Sequence, residues 1–566
     1  MKNRYLSLSL AAMIAGGCGT TADDTNNNTG TNNNTNNTSP DCLDTDVQGA
    51  FDGKITGDIT FCGTVLIEEN VYNSDTATVT VRPGTVFKVS VDKSFELGWA
   101  GKDATLNAVG TEANPIIFEG TTDEPGHWEG LLLSPAVASN TILDHVIVRN
   151  AGGGDAPAIN NLSERGITFK NVTVEGSAGI GLASASFKAG SENLSVTDSA
   201  GPAVSLTNAL AVTNFPLGGT FETNTKNYVA VDFDAVDTDV TWHQAAIPYL
   251  IAEGLYNNTD VTMTVDAGVR FNVGVDKEIV LGWAGKAATL QFNGTEADPI
   301  VFRGSTEEPG HWTGILLDAP VATTSSLKFV QIMDAGAADE VALRVNSPVT
   351  LDHVTLANNQ AASIWINHDG LSEASNNLVI EDTEGPSAKI EAGALFSLPL
   401  GGSYGTGTAY VEITNGAFAV GGQISKLSVP YRLSDNLYNN DTASVQIESG
   451  TRIEFGPDKY WDLGWAGKDM TIEAEGVEFV GATAASGFWA GLIVSGATTG
   501  SSFIRNSTIS DCADFGIQIN KDTGFDFTGN TVNQTAGYCV EKRVADTTDY
   551  AATNTLSCTL GAVKPN

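Results

Sequence analysis

The sequence predicts an all-β protein built on a long internal repeat, and three observations support this. Of 566 residues 61 are Gly and only 17% are charged, while Thr, Asn, Val and Ala fill long stretches. This is a strand- and turn-rich composition rather than a helical one. Short segments alternate with period two: Ala77, Val79 and Val81 are interleaved with Thr76, Thr78 and Thr80, and Val261, Met263 and Val265 with Thr262 and Thr264. Such alternation marks a half-buried strand. Finally, "YNSDTATVTVRPGTVFKVSVDKSFELGWAGK" from Tyr72 returns as "YNNTDVTMTVDAGVRFNVGVDKEIVLGWAGK" from Tyr256 and "YNNDTASVQIESGTRIEFGPDKYWDLGWAGK" from Tyr438. Gly84, Gly268 and Gly450 mark the same turn in each copy.

Taken in order, the chain opens on an export signal over residues 1–18. Lys2 and Arg4 precede a short apolar run, Leu6 to Ile14, followed by Ala15-Gly16-Gly17-Cys18. Small residues directly before a cysteine resemble the bacterial lipoprotein cleavage box. The resemblance implies that Cys18 carries a lipid and, with Gly19 rather than Asp after it, that the protein reaches the outer membrane. An ordinary secretory signal is the alternative, because Ala15 stands where Leu is usual. Residues 19–40, rich in Asn and Thr, lack apolar periodicity and are expected to form a disordered tether. About 20 such residues average roughly 25 Å end to end.

Three related modules should follow, over residues 41–247 with an N-terminal cap, 248–429, and 430–566 with a truncated end and a C-terminal cap. "GTEANPIIFEGTTDEPGHWEGLLL" in the first matches "GTEADPIVFRGSTEEPGHWTGILL" in the second and, loosely, "EGVEFVGATAASGFWAGLIV" in the third. "PLGG" opens at Pro216 and Pro399 and has no third counterpart, so the rod could bend there. Beyond Cys18 the cysteines cluster at the two ends. In an exported protein Cys42–Cys62 and Cys539–Cys558 are the preferred disulfides and Cys512 is left over, with Cys512–Cys539 as an alternative.

A string of sandwiches or a solenoid would both give strands every 8 to 12 residues. The segments "ITFKNVTVEGSAGIGL", "LDHVIVRNAG" and "FDFTGNTVNQTAG" favour the solenoid, because they resemble rungs of right-handed parallel β-helices. The run "GTVFKV…LNAVGTEANPIIFEG…HWEGLLL…LDHVIVRN" is similar to bacterial surface β-helix proteins of the pectate-lyase-like superfamily. That resemblance spans nearly everything after Cys42 and implies a fold more strongly than an activity. Rungs of about 20 to 25 residues spaced roughly 4.8 Å apart would give a rod on the order of 100 Å long.

Function is less legible. A net charge of −38 argues against nucleic acid and anionic lipid as partners. The densest cluster is Asp123-Glu124-Pro125-Gly126-His127-Trp128, repeated as Glu307-Glu308-Pro309-Gly310-His311-Trp312. Asp123, Glu124, His127, Glu307, Glu308 and His311 are therefore the alternative catalytic candidates, suited to a cation or a sugar hydroxyl. The third copy holds Ala484, Ala485 and Phe488 instead, while Trp128, Trp312 and Trp489 persist, each two residues before a glycine. What persists is packing chemistry, which makes a rung-corner plug the preferred reading of these three tryptophans.

"LGWAGK" (Leu97–Lys102, Leu281–Lys286, Leu463–Lys468) lacks phosphate-loop spacing. It reads as a tight turn in which glycines supply positive φ and the Trp folds over the coil. Its functional alternative is a row of exposed Trp99, Trp283 and Trp465 on one face, stacking sugars, with Lys102, Lys286 and Lys468 as donors. The acidic run Asp232, Asp234, Asp237 and Asp239 lacks calcium-loop spacing and reads as solvent-facing Asp on a strand; no motif supports Ca2+ or another metal. The set of signatures "DD", "GHG" and "RIK" of galacturonase-like β-helix enzymes does not appear. The sequence therefore points to a non-enzymatic, lipid-anchored surface rod for adhesion to polysaccharide or to another surface protein. The competing reading is a polysaccharide lyase or hydrolase.

Overall fold

The computed structural model describes residues 42–381, 386–521 and 525–564. Cys18, the export signal and the Asn/Thr tract lie outside them. The described residues form an all-β parallel solenoid of about 21 coils, with successive coils about 24 residues apart. At about 4.8 Å per coil the stack measures on the order of 100 Å.

A coil typically carries three short strands separated by sharp corners. Ala77–Val81, Val86–Val89 and Ser94–Leu97 form one coil, and Ala104–Val109, Ile116–Gly120 and Gly130–Leu133 stack on them in parallel register. The alternation read from the sequence decides which side chains face in: Ala77, Val79 and Val81 are buried and Thr78 is exposed. Like residues stack from coil to coil along the core, as in Phe87–Phe118 (ring centroids 4.4 Å apart) and Phe271–Phe302 (4.6 Å).

Corners need residues that tolerate a left-handed backbone. One corner column runs through His145 (φ 50°), Asn171 (φ 50°) and Asn193 (φ 56°). Asn193 Nδ2 donates to Asn171 Oδ1, and Asn171 Nδ2 to Asp144 Oδ1, both at 2.9 Å. In an equivalent column Phe329 stacks on His353, and Asn377 Nδ2 donates to His353 Nε2 at 2.9 Å. These asparagines explain the Asn-rich turns of the rung segments, since Asn adopts this conformation more readily than most residues.

Trp128, Trp312 and Trp489 are fully buried, as the packing reading expected. Each indole N–H donates to a backbone carbonyl of the next coil, Arg149, Met333 and Ser510, at 2.7–2.8 Å. The following glycines, Gly130, Gly314 and Gly491, have φ between 123° and 139°. A Cβ there would lie 2.1–2.6 Å from a carbonyl oxygen of the next coil, so only glycine lets that coil settle.

Both preferred disulfides are present, Cys42–Cys62 and Cys539–Cys558, and Cys512 is a buried free thiol. Strand stacking continues past both "PLGG" segments, through Pro202–Leu206, Lys226–Val231 and Tyr249–Ile251, and through Ala388–Glu391, Val411–Asn415 and Tyr431–Leu433. At the second glycine pair, a Cβ on Gly402 would lie 1.9 Å from the Leu378 carbonyl oxygen, so that motif serves close coil contact.

Two outcomes follow from these contacts. Trp312→Ala removes a buried indole and should cost about 3–5 kcal/mol, read as a lower urea midpoint, whereas the half-exposed Trp283→Ala should cost about 1 kcal/mol or less. Burial pushes the Cys512 thiol well above its ordinary range. It should therefore resist alkylation at pH 8 in the native protein and react on unfolding, which mass spectrometry of trapped adducts would check.

Candidate functional site: the three Tyr–Trp corners

The "LGWAGK" corners are built from a buried asparagine one coil earlier. Asn73, Asn257 and Asn439, the Asn of each "YN", are fully buried. The Asn73 carboxamide oxygen accepts from the backbone N–H of Gly98 (2.8 Å) and Trp99 (3.2 Å). Its Nδ2 donates to the carbonyls of Asp75 (2.9 Å) and Lys102 (3.2 Å). Asn257 makes the same bonds to Gly282, Trp283, Thr259 and Lys286, and Asn439 to Gly464, Trp465, Asp441 and Lys468. One side chain thus satisfies both ends of the turn, which matters because an unpaired buried polar group is costly.

The turn that results is the one expected from the sequence. Gly98, Ala100 and Gly101 have φ of 84°, 50° and 76°, and the other two copies repeat this pattern. Lys102 N–H donates back to Trp99 O at 3.0 Å and closes the turn. Gly98 supplies the positive φ, and an added Cβ would also crowd Ser134 Cβ and O at 3.1 Å.

The Trp side chains do not bury. Trp99, Trp283 and Trp465 are 43%, 47% and 43% exposed. Each leans on the tyrosine that precedes the buried Asn: Tyr72, Tyr256 and Tyr438, with centroids 4.9, 5.8 and 5.5 Å apart and planes inclined by 51–54°. Lys102, Lys286 and Lys468 are exposed at the same corners. The tight-turn reading and the exposed-platform reading therefore both describe this geometry. The tyrosines and asparagines were not singled out from the sequence, although "YN" precedes every hexapeptide by the same distance.

The expectation that the three Trp–Lys pairs share one face is overturned. Trp99 follows Ser94–Leu97, and the strands stacked above it lead through seven pairings to Arg270–Val273, not to the strand before Trp283. Trp283 follows Glu278–Leu281, one corner further round, in the next stack. That stack leads through seven pairings to Arg452–Phe455, and Trp465 again follows the next strand round, Tyr460–Leu463. The repeat spans seven and one-third coils, so the three platforms lie on three different edges.

The acid and histidine candidates sit in exposed loops. His127 is held by hydroxyls on both ring nitrogens, Thr121 Oγ1 at Nε2 and Thr122 Oγ1 at Nδ1, each at 2.8 Å. His311 is held likewise by Ser305 (2.8 Å) and Thr306 (2.7 Å). Where Phe488 replaces the histidine, Ala482 replaces the hydroxyl residue at the first position. Asp123, Glu124, Glu307 and Glu308 are exposed, and Glu307 pairs with Arg303. This arrangement fixes a loop and leaves neither imidazole nitrogen free of a hydroxyl partner.

The acidic run differs from its expectation. Asp232, Asp234, Asp237 and Asp239 lie in connections flanking the two-residue strand Ala235–Val236, not alternating along one strand. Asp232 accepts from Ser205 Oγ, and Asp239 from Thr262 N at 2.7 Å, which caps the neighbouring coils. Among the described residues no three His, Cys, Asp or Glu side chains converge as metal donors. No helix among them is long and apolar enough to cross a membrane. A groove of 350 Å³ beside Phe329 is lined by His353, whose Nδ1 meets Asp352 at 2.6 Å and whose Nε2 is occupied by Asn377.

Comparison with known protein families, curated proteins and solved structures finds no match to this chain.

The asparagine pin has a measurable consequence. Asn257→Ala leaves the Gly282 and Trp283 amides without their acceptor, at a cost of about 1–3 kcal/mol, and should raise hydrogen exchange across residues 282–287 while exchange in the neighbouring coils stays unchanged.

Proposed function

We propose that the protein is an exported, non-catalytic binding rod, held at the cell surface through lipid on Cys18, whose Tyr–Trp corners take carbohydrate. A solenoid rod fits a surface or binding role, and the two disulfides fit an oxidising compartment. The observation that carries the reading is the repetition of one exposed Tyr–Trp pair on one buried Asn at all three corners. Aromatic faces held rigidly at a surface stack the apolar side of a sugar ring, and an adjacent lysine donates to its hydroxyls. By contrast, the acid and imidazole groups suited to proton transfer are dropped from the third copy.

Retention of the protein on a panel of insoluble polysaccharides tests this directly. Replacing Trp99, Trp283 and Trp465 together by Ala should weaken retention at least about tenfold. Unchanged retention would remove the platforms from the account. Shortening of any polysaccharide, with or without Ca2+, that disappears in the His127→Ala, His311→Ala double variant would replace the binding reading with a catalytic one. Cys18→Ser should move the protein from the membrane fraction to the soluble fraction; continued membrane retention would argue against the lipid anchor.

A further inference from the structure

We infer that the three platforms hold three separate, uncharged glycan chains, so that one rod cross-links them; this rests on the carbohydrate reading above. Each repeat adds one third of a turn beyond seven coils. Ser94–Leu97 lies seven coils below Arg270–Val273 in a single stack, and the strand before Trp283 comes one corner later. Neighbouring platforms are therefore separated by seven and one-third coils, roughly 35 Å along the axis at about 4.8 Å per coil. They are also separated by one edge of the rod. An extended polysaccharide lying along the edge that carries Trp99 meets neither Trp283 nor Trp465. To reach a second platform it would have to wrap across a strand face. Three copies on one edge would grip one chain repeatedly, whereas three copies on three edges present themselves to three chains.

Charge selects the class of chain. Asp103, next to Lys102 in the chain, pairs with Arg165 at 3.4 Å, so this corner holds two cations and one carboxylate. Asp260 accepts from the Ala287 amide next to Lys286 at 2.8 Å. Lys468 lies 3.9 Å from Asp441 and precedes Asp469. The Lys468 corner thus has a carboxylate within reach of its ammonium, and the whole chain carries −38. That overall charge repels a polyanion, while a neutral sugar finds an aromatic face and an adjacent lysine donor at each corner.

Binding stoichiometry and cross-linking separate this inference from the reading it rests on. Titration of the full-length protein with short β-glucan, xylan, mannan and chitin oligosaccharides should give three equivalent, non-cooperative sites for the class that binds. The count should fall to two in Trp99→Ala and to one in the Trp99→Ala, Trp283→Ala double variant. Long soluble chains of the same polysaccharide should gain low-shear viscosity on mixing with the wild-type protein and none with the double variant, which still binds. If three short ligands bind but a long chain forms a one-to-one complex without added viscosity, one chain occupies all the platforms. The cross-linking inference then fails while the binding reading stands. If no oligosaccharide binds, both fail. Tighter binding of acidic than of neutral oligosaccharides would overturn the assignment of ligand class.

Discussion

Everything in this molecule depends on each coil lying in parallel register on the one before it. That stacking gives the strand backbones their partners, and it confines the apolar side chains to one narrow column in which Phe stacks on Phe and Trp on Phe. The constraint is tightest at the corners, where the chain must reverse without losing contact with its neighbours. Asparagines in left-handed conformation, glycines with no room for a Cβ, and buried Asn side chains that bond to the coil ahead are three answers to that requirement.

The corner solution also explains why an aromatic pair is left exposed by a structural element. Asn73 and its equivalents draw the turn inward by its backbone, so the Trp in the middle of the turn is left outside, resting on Tyr. The same residues that close the fold hold an aromatic face in place, and a face so held would lose little entropy on meeting a ligand. The histidine loops follow the opposite logic. Their imidazoles are held by local hydroxyls, and when the histidine becomes Phe488 the first hydroxyl residue becomes alanine, as expected of a packing pair.

Repeat length and coil length are not commensurate. Offsets of 184 and 182 residues correspond to seven and one-third coils, so identical sequences are delivered to successive edges of the rod. A repeat of a whole number of coils would have placed all three platforms in line. The direction in which each platform points is therefore a property of the repeat length rather than of any residue in the corner.

The sequence by itself determined the fold class and the pattern of inward and outward residues, and it favoured the burial of Trp128, Trp312 and Trp489 and the Cys42–Cys62 and Cys539–Cys558 pairs, while the structure excluded the Cys512–Cys539 alternative. Period-two alternation, glycine punctuation and the placement of cysteines at the two ends are local or compositional signals, and they survive without knowledge of the coil count. Only the tertiary structure decided that Asn73, Asn257 and Asn439 pin the corners, because their partners lie about 25 residues away in the next coil. It likewise decided that Trp99, Trp283 and Trp465 stand on different edges. Corner positions accumulate over seven coils of unequal length, and no periodicity in the chain reports that sum; only the pairing of each strand with the next does.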